Sequence, residues 1–236
     1  MMMRRLAAFA PTRPWPTLAV ALVLLGALLV GGCATRDLVP RPLRHGPVAL
    51  VDIRYIADKP FPPLDGARPL TIFQLTDRRT GEDRDDPVRV GGIRAALINV
   101  EQQRLRNHTP YQWILVRALA DGFRARGVRV VSQEGREFSP ETALTTPCAL
   151  AGEVRQFTSE ASHSGVAAQI DATLRLSCGT DGQPVERTLA TRVDGPFRGT
   201  FPSLSATLEQ ILNRALEEFV RDAVLDAELT RLLVHQ

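Results

Sequence analysis

The sequence predicts an α+β protein in which a mostly antiparallel sheet carries two amphipathic helices packed on one face, preceded by a signal peptide and a tether. Apolar and polar residues alternate in three runs between residues 148 and 197. Two other segments have apolar residues at helical spacing, and a short apolar run follows a basic N-terminus. The chain that remains after this N-terminal segment suits one domain, which we place at 47–236.

The N-terminus has the composition of an export signal. Arginines but no acidic residues precede an unbroken apolar run of 13 residues, Leu18 to Val30, and small residues follow it. A transmembrane helix needs roughly 20 apolar residues, so this run is too short for a permanent membrane span. The pattern predicts a signal peptide over residues 1–32. Residues 33–46 contain two prolines and a glycine and little apolar pattern, as expected for a tether.

The cleavage site indicates the class of exported protein. The segment Val30-Gly31-Gly32-Cys33 resembles the lipobox of bacterial lipoproteins. The resemblance implies cleavage between Gly32 and Cys33, a diacylglyceryl group on the Cys33 sulfur, and an acyl chain such as palmitate on the new N-terminus. Two or more acyl chains anchor a protein stably to a membrane. Ala34 stands where aspartate usually retains a lipoprotein in the inner membrane, which implies the periplasmic side of the outer membrane. The alternative is an ordinary secretory signal with a chance cysteine.

The charge balance changes when the signal is removed. The chain has 29 Lys and Arg against 26 Asp and Glu, and residues 1–32 contain three of the arginines and no acid. The mature side chains therefore balance at 26 of each sign. Nucleic-acid-binding domains carry a basic patch or a strongly basic balance. We therefore expect no nucleic-acid partner.

The first half of the mature chain predicts strands and one helix. A strand-like run at 47–56 precedes a proline-rich segment, and residues 70–76 have the β-branched and aromatic composition of a buried strand. A helix is predicted from Thr109-Pro110, because threonine can cap the first amides and proline suits the first helical position. Gly127 is a suitable stop for this helix, and 128–131 reads as a short strand.

The second half predicts a three-stranded antiparallel sheet and a long helix. The alternating runs lie near 150–155, 170–177 and 189–194, with a turn-rich segment at 158–165 between the first two. One-sided alternation predicts one covered and one solvated face. The last helix is predicted from about Ser203, with polar residues such as Glu209 and Glu217 on its outer side. Its apolar stripe comprises Leu204, Leu208, Ile211, Leu212, Ala215, Leu216, Phe219, Val220 and Ala223.

A charged segment, residues 77–94, separates the early strands from the first helix. Ten of its eighteen residues are charged, which predicts a solvated loop with a short strand at 88–90 as a further option. A partner-binding loop is the alternative reading. The carboxylates Asp83, Asp85 and Asp86 could bind calcium, but the spacing lacks the glycine and distal glutamate of an EF-hand loop. We therefore predict no metal site.

Two cysteines remain besides Cys33. If the first hairpin turns at 162–164, opposed residues have numbers that sum to 326, and the apolar residues of both strands then share one face. The same register places Cys148 opposite Cys178. Exported proteins meet an oxidising compartment, so we predict a disulfide between them, with a stabilisation of ~3–4 kcal/mol. Two small buried thiols are the alternative.

No catalytic pattern emerges from the remaining residues. The four histidines, His45, His108, His163 and His235, are scattered and show no metal-binding spacing. Ser162-His163-Ser164 places a hydroxyl beside a histidine, but neighbours in sequence are not thereby in hydrogen-bond geometry, and the G-x-S-x-G elbow is missing. We predict neither a catalytic site nor a cofactor.

The order of elements resembles the YajG-like lipoproteins of Gram-negative bacteria. The resemblance rests on LTIFQLTDRRT at 70–80, ALADGFRARGVRVV at 118–131, SHSGVAAQIDATLRL at 162–176 and the closing amphipathic helix, and it spans most of residues 69–225. It implies a lipoprotein without known enzymatic activity. The segment around 81–108 and the run at 47–56 depart from shorter family members.

The sequence thus predicts a non-enzymatic outer-membrane lipoprotein that faces the periplasm and acts as an accessory or interaction module of the envelope. Its expected partners are the membrane, through the lipid anchor, and an unidentified envelope protein. An auxiliary lipoprotein of a lipid-transporting ABC system is the alternative, and it would need an apolar groove or a docking edge. A periplasmic hydrolase is the third reading.

Overall fold

The structure is a computed structural model that describes residues 48–81, 84–94, 100–139, 141–142, 145–162, 165–179, 183–196 and 201–234. The predicted signal peptide, the lipobox with Cys33, and the tether lie outside the described residues. The same is true of Asp83, His45, His163 and His235.

The described residues form nine strands and three helices. The strands are β1 (Val48–Val51), β2 (Leu70–Gln74), β3 (Thr76–Asp77), β4 (Arg89–Arg94), β5 (Val100–Leu105), β6 (Val130–Glu137), β7 (Cys148–Ser162), β8 (Gly165–Cys178) and β9 (Val185–Gly195). The helices are α1 (Tyr111–Ala125), α2 (Phe201–Leu225) and α3 (Ala227–Val234). The α+β class is confirmed, with a third helix, α3, that was not predicted.

The sheet is mixed, and the prediction of a mostly antiparallel sheet is corrected. Strand β7 is its centre: one edge pairs with β8 in antiparallel direction, and the other pairs in parallel direction with β2, β3 and β4 in succession. The order β1-β5-β4-β7-β2-β6 also contains parallel β1–β5 and β2–β6 pairs. The alternation in β7, β8 and β9 predicts only the antiparallel part, because these strands are neighbours in sequence as well as in space.

The helices α1 and α2 contact each other and pack on one face of the sheet, as predicted. Every residue of the predicted apolar stripe of α2 is buried. Helix α1 begins at Tyr111, and Pro110 is its N-cap in an extended conformation, so Thr109 makes no cap. Gly127 ends the helix at φ +86°, where the amide of Val128 donates to the carbonyl of Phe123. On the opposite face, Phe138 packs over a small buried cluster, Phe73, Ala149 and Ala151.

The predicted register of the β7–β8 hairpin is confirmed from Cys148↔Cys178 to Val154↔Ala172. A bulge between Val154 and Gln156 then shifts the pairing by one residue, so the strands continue to Ser162↔Gly165. The turn-rich reading of 158–165 was therefore wrong for most of that segment.

The predicted disulfide between Cys148 and Cys178 is present, with Cα atoms 4.1 Å apart. The amide of Gly179 donates to the carbonyl of Pro147 at 3.1 Å, which marks Pro147 and Gly179 as a hydrogen-bonded pair of the ladder. The cysteines beside them thus form a non-hydrogen-bonded pair, the arrangement that brings opposed Cα atoms closest together.

Candidate functional site

The chain that leaves β1 runs along the polar side of α2 and is held there by side chains of the helix. The amide of Asp52 donates to Glu209 Oε2 at 2.9 Å, and the amide of Arg54 donates to Asn213 Oδ1 at 2.8 Å. One turn further along, the amide of Asp58 donates to Glu217 Oε1 at 3.3 Å. We call this set of contacts the helix ladder.

The first two contacts of the helix ladder form because two periods match, whereas the third comes four residues further along the chain and lies outside that period. Glu209, Asn213 and Glu217 are four residues apart, which is about 6.0 Å along an α-helix. Two residues of extended chain advance about 6.6 Å, so the amides of Asp52 and Arg54 meet successive helix side chains. Prolines at 60, 62 and 63 exclude a helix downstream of this segment.

A groove of about 730 Å³ lies between this segment and α2. Two apolar side chains stand exposed in it, Leu50 at 41% and Ile56 at 68% of their full surface. The remaining lining is mostly polar and comprises Arg54, Asp58, Arg106, Ser205, Ala206, Glu209, Gln210, Asn213, Arg214 and Glu217. The size is within the usual range for ligand sites, although small-molecule pockets are predominantly apolar.

The groove's charges suit binding better than catalysis. Three arginines and three carboxylates line it together with Ser205, and no histidine or cysteine is among the described residues that line it. Nucleophilic catalysis requires a nucleophile with a base in hydrogen-bond reach. What the groove offers instead is a mixed-charge surface with two exposed apolar contacts, a combination that suits a polypeptide segment.

The charged segment 77–94 is solvated only in part: residues 80, 81, 84, 85 and 87 are exposed, as its composition predicts, and the strand option at 88–90 overlaps β4. Arg79 is only 3% exposed, and its guanidinium contacts Asp77 at 3.0 Å and donates to the carbonyl of Arg89 at 2.7 Å. It also lies over the ring of Tyr111, 3.9 Å from the centroid. Arg79 departs from the solvated pattern because it directly follows β3, which borders the central strand β7.

Tyr111 connects this arginine to the hydrophobic core. Its ring stacks on Phe157, with centroids 4.9 Å apart. Burial raises the pKa of the Tyr111 phenol above its usual value, more than the nearby Arg79 lowers it. The Arg79–Tyr111–Phe157 stack therefore ties the charged segment to the hydrophobic core.

Of the carboxylates considered for calcium, Asp86 is engaged by other groups of the chain. Asp86 accepts a 2.7 Å contact from Arg104 and a bond from the amide of Val88. In the described part of the chain, no three His, Cys, Asp or Glu side chains stand close enough to hold a metal ion. His108 lies in the turn after β5, at φ +52°.

Sequence reasoning did not identify the groove. It placed Glu209 and Glu217 on the outer side of the last helix without assigning them a contact. The i, i+4, i+8 spacing of Glu209, Asn213 and Glu217 was the available signal, but such spacing is common on solvated helix faces. The extended partner at 52–58 shows no complementary pattern.

The lipidation residues Val30 to Cys33 stay a prediction, because they lie outside the described residues. None of the described helices combines the length and the apolar character needed to cross a membrane.

No protein-family model matches the chain, and no curated protein matches it. Among solved structures, it is similar to protein XCC0632 from Xanthomonas campestris, of family DUF330, at 18% identity over 77% of this chain and 96% of that one, with a TM-score of 0.49. A PelC dodecamer from Paraburkholderia phytofirmans matches at 14% identity, over 67% and 93% of the chains, with a TM-score of 0.36. Lipoprotein GNA1162 from Neisseria meningitidis matches at 11% identity, over 62% and 96%, with a TM-score of 0.35. Likenesses at this level assign neither a family nor a function.

Proposed function

We propose that this chain is a YajG-like outer-membrane lipoprotein, facing the periplasm, that acts without catalysis as an interaction module of the envelope. The observation that carries the proposal is the apolar run Leu18 to Val30 followed directly by the lipobox-like Val30-Gly31-Gly32-Cys33. The buried Cys148–Cys178 disulfide supports it, because stable disulfides are typical of oxidising compartments such as the periplasm.

The groove supports a binding role. It exposes Leu50 and Ile56 beside charged side chains of both signs, which gives a partner segment both apolar and charged contacts. An acyl chain would have to contact the six charged side chains of the lining, which is unfavourable. The groove therefore does not support the alternative of an auxiliary lipoprotein that binds lipid at this site.

Localisation is tested with the full-length chain in a Gram-negative host, using a clickable palmitate analogue and separation of the two membranes on a density gradient. We expect the wild-type chain to carry the label and to sediment with the outer membrane. Cys33→Ala should lose the label and accumulate as precursor. Ala34→Asp is the matched control, because it should keep the label but move to the inner membrane. Label on the Cys33→Ala chain, or no label on the wild type, would contradict the lipoprotein assignment.

The binding role is tested by a photo-crosslinking amino acid at Ile56, in the groove. Position 131 is the control, because Val131 is similarly exposed, at 54%, and lies on β6 outside the groove lining. We expect an adduct with one envelope protein from position 56 and not from position 131. The substitution Leu50→Asp in the same groove should abolish the adduct. Equal adducts from both positions, or none from position 56, would contradict a groove that binds a partner.

A further inference from the structure

Three strands form edges of the sheet, and two of them are protected. Strand β1 has four residues, and the chain beyond it is covered by the helix ladder. Strand β6 bulges, since the partner of Phe73 is Gln133 while that of Gln74 is Glu137, and Gly135 within the bulge has φ +76°. Short edges, bulges and charged side chains are among the means by which proteins prevent edge-to-edge pairing.

Strand β9 is neither short nor bulged, and its charged residues are of both signs. Its eleven residues pair with β8 alone among the described strands, in one continuous register from Val166↔Gly195 to Leu176↔Val185. Helix α2 covers one side chain face of β9, but the strand's outer hydrogen-bonding edge pairs with no described strand. An edge of this length and regularity is a template for another strand.

The ladder pattern shows which groups β9 presents outward. Because Pro147 and Gly179 form a hydrogen-bonded pair, Ser177, Arg175 and Thr173 direct their backbone groups to β7. The alternate residues of β8, such as Leu174 and Ala172, therefore bond to β9 at Arg187 and Leu189. The backbone groups that point outward from β9 then belong to Glu186, Thr188, Ala190, Arg192 and Asp194.

We propose that β9 pairs in antiparallel direction with β9 of a second copy of this chain, with the two-fold axis at Leu189. This register sets Glu186 opposite Arg192 of the second copy, twice by symmetry. Thr188 then faces Ala190, and Leu189 faces Leu189 on the face that α2 covers. All outward groups from Glu186 to Arg192 meet hydrogen-bonded partners, and both charged pairs have opposite signs.

Charge complementarity selects this register over its neighbours. An axis at Ala190 would place Glu186 opposite Asp194, a like-charged pair on both sides of the axis. An axis at Thr188 would place Glu186 opposite Ala190, and Arg192 would then face a residue outside the second copy's β9. Like charges directly opposite destabilise a strand pair, whereas opposite charges stabilise it. The charges of β9 are thus complementary to those of a second β9 in antiparallel direction, which is why we assign a second copy and not another protein.

The test is disulfide crosslinking of the full-length chain in the periplasm of living cells, with a cysteine at Thr188, Leu189 or Ala190 in turn. Only Leu189→Cys brings two identical residues opposite each other, about 4.5 Å apart at Cα. The Cα atoms of the two copies would be roughly 9 Å apart at position 188 or 190, beyond the reach of a disulfide. We expect a dimer band on non-reducing gels from Leu189→Cys and none from the two neighbours.

Charge exchange provides the second arm. In the Leu189→Cys background, Glu186→Arg should reduce the crosslinked fraction about tenfold, because arginine would then face Arg192. Adding Arg192→Glu should restore it. Both positions are exposed, and retention of the Cys148–Cys178 disulfide reports that the fold is intact. The proposal is overturned if Leu189→Cys stays monomeric, if it crosslinks to a different protein, if position 188 or 190 crosslinks equally, or if the charge reversal has no effect.

Discussion

Removing the disulfide offers the most quantitative test of the hairpin. The two cysteines are separated by 30 residues, and on the chain-entropy relation a loop of that length contributes about 3.6 kcal/mol to stability at 25 °C. The chain-entropy effect acts on the unfolded state, so it is lost as soon as either cysteine is replaced. We therefore expect Cys148→Ala, Cys178→Ala and the double variant to lose similar free energies of unfolding, close to 3.6 kcal/mol each.

The assay is urea unfolding of the chain that starts at Ala34, followed by circular dichroism, with melting curves in parallel. A loss of this size corresponds to a decrease in Tm of roughly 7–14 °C for a domain of about 200 residues. The two single variants are controls for each other. Because both remove the same bond, their losses in free energy of unfolding should not add up in the double variant. Single losses that sum to the double-variant loss would show that packing of the side chains, and not the covalent loop, supplies the stability. A total loss below about 1 kcal/mol would refute the reasoning.

Three further predictions concern a buried ion pair, a helix stop and two phenols. Arg79→Met should lower the free energy of unfolding in urea by about 3 kcal/mol, because it removes one partner of a buried ion pair. The control Arg214→Ala, in an exposed pair, should change it by no more than about 0.5 kcal/mol. Equal losses would contradict the buried role of Arg79. Gly127→Ala should cost about 1 kcal/mol in the same assay, because φ is +86° there, and a neutral result would contradict the left-handed helix stop. Burial raises the pKa of both tyrosines, Tyr55 and Tyr111, and that of Tyr55 to about 12. Tyrosinate absorbance should therefore be absent from the folded chain at pH 10.5 and should appear near pH 10 in urea. Stability should then fall as pH rises from 10 through 12, and normal titration of the folded chain would contradict the burial of both phenols.

The parts of the fold that the sequence predicted are those in which a periodic pattern meets a local partner. Alternation in β7 and β8 was enough to predict the register and the Cys148–Cys178 bond, because a hairpin pairs neighbours and a one-residue slip would reverse its faces. The stripe of α2 was equally clear. The bulge at Arg155 moves the buried positions of β7 from even to odd numbers, from Val154 to Phe157 and Ala161. The three-residue step from Val154 to Phe157 was the signal for the bulge that the alternation argument did not use.

Long-range pairing was not predictable in the same way. Strand β5 has the sequence VEQQRL, whose buried Gln103 gives no apolar signal, although it contacts Ser159 of β7 within the sheet. The parallel pairs of β7 with β2 and β4 join segments 68 or more residues apart. Arg79 was assigned to a solvated loop because charge alone does not reveal that Asp77 and Tyr111 would enclose it.

The helix ladder and its groove could not be predicted for two reasons, an uninformative residue pattern and a long separation along the chain. Glu209, Asn213 and Glu217 have the spacing of a solvated helix face, and the segment that they hold lies more than 150 residues earlier in the chain. Only the folded arrangement shows that the two periods coincide.

The central claim is that the chain is anchored by a lipid at Cys33. Its most direct test is mass spectrometry of the N-terminal peptide from the full-length chain after expression in a Gram-negative host and extraction from membranes. We predict a mature N-terminus at Cys33 that carries a diacylglyceryl group on sulfur and an acyl chain on nitrogen. An N-terminus at any other residue, or an unmodified Cys33, would contradict the lipoprotein assignment.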